Sequence, residues 1–120
     1  MPDPDALRAQ YDALAESFTG LPDVAIPAET GRRGFGSDAL TVHGRIFAML
    51  ARGHLVVKLP AARVAALTEQ GTGTPFTAGK ATPMREWLVV ARHDRQTWRD
   101  LAREAHAHVS SHPGRRQRSR

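Results

Sequence analysis

Three histidines, His106, His108 and His112, crowd the last stretch before the C-terminus. Asp100, Glu104, His108 and His112 follow one another at steps of four, so on a helix they form one row. Two imidazoles and a carboxylate are the donor set of a zinc site. The same spacing argues against one. Asp100 lies two residues from Trp98, roughly on the opposite side of a helix, so a buried Trp98 turns the row towards water. Ligands in open water lack the outer hydrogen bonds that orient a metal site. Acids early and histidines late also complement a helix dipole with no metal at all. No metal site and no cofactor are expected.

A second stretch with possible chemistry is "GRRGFG", residues 31–36. A phosphate-binding P-loop needs G-x-x-x-x-G-K-[ST] between a strand and a helix. Here the Lys-Ser/Thr pair is missing and a strand follows. Gly34 and Gly36 are expected to bend the chain into that strand. The serines, Ser17, Ser37, Ser110, Ser111 and Ser119, include none in a nucleophile elbow. There is no cysteine, hence no thiol nucleophile and no disulfide. No catalytic residue is assigned, and the chain is expected not to be an enzyme.

The elements that must position these residues belong to one small domain. The chain has 120 residues, 41% hydrophobic and 24% charged, which suits one core. The N-terminus has no signal-peptide core and no apolar run reaches spanning length, so a cytoplasmic location is expected. Net charge is +5, but Arg115, Arg116, Arg118 and Arg120 lie in a tail without acids. Removing their four charges leaves +1. The domain is expected over residues 1–111, and residues 112–120 as a basic, disordered tail. Such a tail can attract nucleic acid weakly and without sequence preference.

Asp3, Pro4 and Asp5 mark a helix start, and Leu7, Tyr11, Leu14, Ala15 and Phe18 give it an apolar face ended by Gly20. Residues 21–38 read as loop. Strands are expected over 40–42, 45–51 and 54–59, joined by the X-Gly pairs His43-Gly44 and Arg52-Gly53. Pro60 opens a helix with Val64 and Leu67 inward, and Gly71 stops it. Residues 71–83 read as loop and 86–91 as a strand. Asp94 can cap a last helix buried through Trp98, Leu101, Ala102, Ala105 and Val109. The order predicts an α+β fold with two layers. Its antiparallel sheet is a three-stranded meander with at least one more strand, and helices stand at the N-terminus, middle and C-terminus.

Two-residue loops fix a register in which Arg45 faces Val42, Phe47 faces Leu40 and Met49 faces Val56. One sheet face then carries Ile46, Ala48, Leu50, Leu55, Val57 and Leu59, all apolar, and should lie under the helices. The other carries Leu40, Val42, Phe47, Met49 and Val56, with Arg45, His54 and Lys58 among them. An apolar centre with a basic rim is expected to be an interaction face, for a second copy of the chain or another regulator. Coverage by the first helix or by residues 21–36 is the competing expectation.

The central stretch resembles the N-terminal domain of the TfoX/Sxy family. The motifs that carry the likeness are Phe35-Gly36, "GRIFA" (44–48), "LVVK" (55–58), Pro75-Phe76, "GKATPM" (79–84) and the strand "REWLVV". Their order covers most of residues 5–109. The resemblance implies a two-layer domain with an antiparallel sheet and no known catalytic residues. TfoX proteins are positive regulators of bacterial competence genes, so a non-catalytic regulatory or interaction module is the function implied. Two features depart from the family. Gly34 stands where Met often precedes Phe-Gly, and the sequence reaches its basic tail where longer members carry a helical C-terminal domain. The MmcQ/YjbR proteins, described as DNA-binding, are a looser likeness. They imply the alternative of nucleic-acid binding, helped by Arg32, Arg33, Arg45, Lys58 and the tail.

Overall fold

The computed structural model describes residues 3–25, 39–51, 53–76 and 84–111, without the side chains of Pro4 and Met84. Residues 31–36, Arg52, His112 and the four tail arginines lie outside the described residues. Helix α1 spans Pro4–Glu16 and is followed by strands β1 (Val24–Ala25), β2 (Leu40–Val42), β3 (Arg45–Ala51) and β4 (His54–Lys58). Helix α2 (Ala61–Glu69), strands β5 (Gly73–Phe76) and β6 (Met84–Val90) and helix α3 (Arg95–Ser111) complete the chain. The fold is the expected α+β arrangement, an antiparallel six-stranded sheet in the order β1-β2-β3-β4-β6-β5.

Local chemistry places these elements where the sequence predicts them. Pro4 occupies the first turn of α1, where a missing N–H costs nothing, and Asp3 is the N-cap residue without a side-chain bond. His43 and Gly44 have φ of 55° and 77°, the two positive values that a tight hairpin of matching twist requires. Asp94 caps α3, accepting hydrogen bonds from the Thr97 backbone and hydroxyl at 3.0 and 2.7 Å. These bonds, with one from Arg92, hold its carboxyl well below the usual carboxylate range.

Two segments predicted as loop contain strands. Residues Val24–Ala25 pair with β2, and Gly73–Phe76 pairs with β6 at the other edge. Both are short edge strands rich in turn-type neighbours, so neither shows the alternation by which a strand is read. β5 carries Pro75, which an edge tolerates because one side of the strand has no partner.

The larger correction concerns register. Val42 pairs with Arg45 and Met49 with Val56, as expected, but Leu40 pairs with Ala48 and Thr41 with Ile46. Phe47 is the extra residue of a β-bulge. A bulge sets two successive residues against one and shifts the alternation by one from there on. Phe47 and Ala48 are therefore both buried, and Ile46 is the exposed member of the run.

The core lies on one face of the sheet. Leu40, Val42, Phe47, Ala48, Leu55, Val57, Leu88 and Val90 form a single cluster with the apolar faces of all three helices. Tyr11 of α1, Val64 of α2 and Trp98 of α3 are among the buried helix residues. The Trp98 indole N–H donates to the Arg92 carbonyl at 2.8 Å, which meets the cost of burying it. No described helix is long and apolar enough to cross a membrane.

Candidate functional site

Among the described residues the helices gather on one face of the sheet, and none lies on the opposite face. Its central row is set by pairing: Met49 opposite Val56, and Val56 opposite Val89. Paired residues of an antiparallel ladder point the same way, so these three share the face. Beside them Lys58 is opposite Trp87, and Ile46 stands on β3 nearer the β2 edge. Val56 is fully buried, Met49, Trp87 and Val89 are half-buried, and Ile46 is 37% exposed.

Lys58 supplies the polar edge of this patch. Its Nζ lies 5.1 Å from the centre of the Trp87 ring and 3.6 Å from Glu86 Oε1. A cation above an indole is attracted by the ring's negative face, so the lysine holds Trp87 in place while its charge stays near water.

Of the eight residues assigned to an interaction face from sequence, Met49, Val56 and Lys58 share this patch. Leu40, Val42 and Phe47 do not: the bulge turns them under the helices. Arg45 pairs with Val42 and so lies on that side too, at the end of β3 beside the hairpin turn. His54 reaches past the end of the hairpin and packs its ring on His93, 5.1 Å away. Ile46, Trp87 and Val89 were missed. For Trp87 and Val89 the signal was present, since "WLVV" alternates once β6 is placed beside β4. For Ile46 it was hidden by the bulge.

The row on α3 is not brought together. Glu104 is held by Arg63 of α2 in a two-pronged pair, both N···O distances 2.9 Å, and the hydrogen bond to Glu104 raises the Arg63 pKa above its ordinary value. Asp100 accepts from the Gln96 amide at 2.8 Å. Among the described residues no three His, Asp or Glu side chains could share a metal ion. His106 turns inward instead, its ring beside those of Phe18 and Phe47.

A cleft of about 70 Å³ lies between α1 and α3, lined by Gln10, Ala13, Leu14, Ser17, Arg95, Trp98 and Arg99. Pockets for small organic ligands run to roughly 300–1,000 Å³. This one has room for little beyond solvent or a small ion.

No curated protein and no solved structure matches the chain. The model of the TfoX N-terminal domain matches residues 25–109, from the end of β1 to the last turn of α3. That span contains the whole central sheet, the bulge and the helix-free face, and by this match the chain belongs to the TfoX N-terminal domain family.

Proposed function

We propose that this chain is a small non-catalytic regulatory module of bacteria, and that it works by docking protein on the helix-free face of its sheet. The observation that carries the reading is the patch of Ile46, Met49, Trp87 and Val89 around the buried Val56. Half-buried apolar side chains in one continuous group, edged by a lysine and a glutamate, have the composition of an interface centre and rim. The occupant is a second copy of the chain. A two-fold contact is self-complementary, and the rim offers both signs, Lys58 and Glu86, to be exchanged between copies. The family likeness supports the regulatory side of the reading.

The test is oligomeric mass. Light scattering on the full chain is expected to show a concentration-dependent dimer. Ile46→Lys with Met49→Glu should return it to monomer with an unchanged circular dichroism spectrum. A wild type that stays monomeric at high concentration, or a folded variant of unchanged mass, overturns the reading.

Nucleic-acid binding of the MmcQ/YjbR kind is the second reading, favoured by the four arginines and no acid of residues 115–120.

A further inference from the structure

Helix α3 carries Arg95, Arg99 and Arg103 at steps of four, all exposed. The same helix holds the acids Asp94, at its cap, Asp100 and Glu104. Two of its acids are drawn to cations off the row, and the third, Asp100, to a neutral amide. Asp94 is engaged by Arg92 and Thr97, Asp100 by Gln96, and Glu104 by Arg63. None of the three row arginines pairs with an acid among the described residues. The three residues thus follow one another at a rise of about 6 Å along the helix axis, without an acid partner among the described residues.

The cleft beside the row is lined on its other side by Gln10, Ala13, Leu14 and Ser17, none of them charged. Arg95 and Arg99 line the cleft against α1, where Gln10 and Ser17 face them. Of the acids of α1, Asp12 pairs with Arg8.

We propose that the row of Arg95, Arg99 and Arg103 is a docking surface for the phosphate backbone of duplex nucleic acid. The choice of partner follows from what accompanies the cations. A protein partner would need an apolar centre, and the row has none, since Trp98 is buried beneath it. Single-stranded nucleic acid would need exposed aromatic rings for stacking, which the row also lacks. A duplex asks only for a line of cations and neutral hydrogen-bonding groups. It presents a charge about every 1.7 Å of axis, so a row spanning about 12 Å meets several phosphates. Guanidinium matches phosphate with two parallel hydrogen bonds. The surface is on the helix layer, so it rests on neither reading of the sheet face, and it adds a folded contact to the basic tail.

The experiment measures binding of a fluorescent duplex of mixed sequence to the full chain as salt is varied. Replacing Arg95, Arg99 and Arg103 together by Gln should leave the melting temperature unchanged, since none pairs with an acid among the described residues. It should weaken binding and flatten the slope of log K against log salt by about 2 to 3. Replacing the four tail arginines by Gln should leave the contribution of the row in place. Three results overturn the proposal: no duplex binding by the full chain at low salt, an unchanged slope in the Arg95, Arg99 and Arg103 variant, or equal binding to polyglutamate. The last would mark the row as a site for acidic protein.

Discussion

The ring of His106 stands edge-on to the ring of Phe47, centroids 5.3 Å apart and planes at 83°. Phe18 closes the group, its centroid 5.3 Å from that of Phe47 and 5.8 Å from that of His106. A histidine thus fills an aromatic position where the turn after α1 meets β3 and α3, with its Nε2 buried and without a hydrogen-bond partner among the described residues.

Burial lowers the His106 pKa below its ordinary 6.5, and the nearby His43, itself 3.3 Å from Asp23, lowers it further. As pH falls through 6.5 the unfolded chain takes up a proton before the folded one does. The contribution of neutral His106 is therefore present above 6.5 and is lost as pH falls through its lower native value. Melting temperature should fall between about pH 8 and about pH 5, and His106→Leu should flatten that fall. Parallel curves for the two proteins would show that His106 is not the group responsible.

The bulge makes opposite demands on neighbouring residues. Phe47 is fully buried while Ile46 is 37% exposed. Phe47→Ala should cost about 3–5 kcal/mol, the usual range for emptying an aromatic site in a core. Ile46→Ala should cost less than about 1 kcal/mol. Urea unfolding of both variants decides it. With a regular register the order would reverse, because Ile46 would face the helices.

That reversal marks where sequence reasoning stops. The elements with strong local signals were legible: Pro4, Gly44 and Asp94 each act through the backbone within four residues. The family motifs were legible too. The bulge was not, because it depends on how Leu40 and Thr41 meet β3 across the hairpin, and no residue type announces it. One extra residue moved Phe47, Leu40 and Val42 into the core and put Ile46 outside. Strand β5 was hidden for a related reason: "GTPF" has turn composition and is held by β6, not by its own propensity. The arginine row needed side-chain partners, since only pairing tells an unspent charge from a neutralised one.

Arg63 and Glu104 join α2 to α3 through two parallel hydrogen bonds. Both side chains are 40% exposed, so solvent and salt screen the attraction. A double-mutant cycle with Arg63→Ala and Glu104→Ala should give a coupling of about 0.2–1 kcal/mol, smaller at high salt. Arg63→Lys should lose most of it, since an ammonium cannot make the paired contact. A coupling that is zero at low salt would mean that the pair does not persist in solution.

Gly73 and Gly71 sit two residues apart and are glycine for different reasons. Gly71 has φ of 82° with open space where a side chain would go, so Ala there is opposed only by backbone conformation, about 1 kcal/mol. At Gly73 a Cβ would run into the Val89 carbonyl oxygen and come within 3.1 Å of Leu88 Cγ and Cδ1. Backbone on a paired strand cannot step aside, so β5 would have to lift from β6, where Gly73 pairs with Val90. Gly73→Ala should therefore cost about 1–3 kcal/mol and exceed Gly71→Ala. It should also speed amide exchange in β5 while leaving β3 and β4 protected, because β5 is an edge and can open alone. If Gly73→Ala proves as mild as Gly71→Ala and β5 stays protected, close approach is not what requires glycine at this edge.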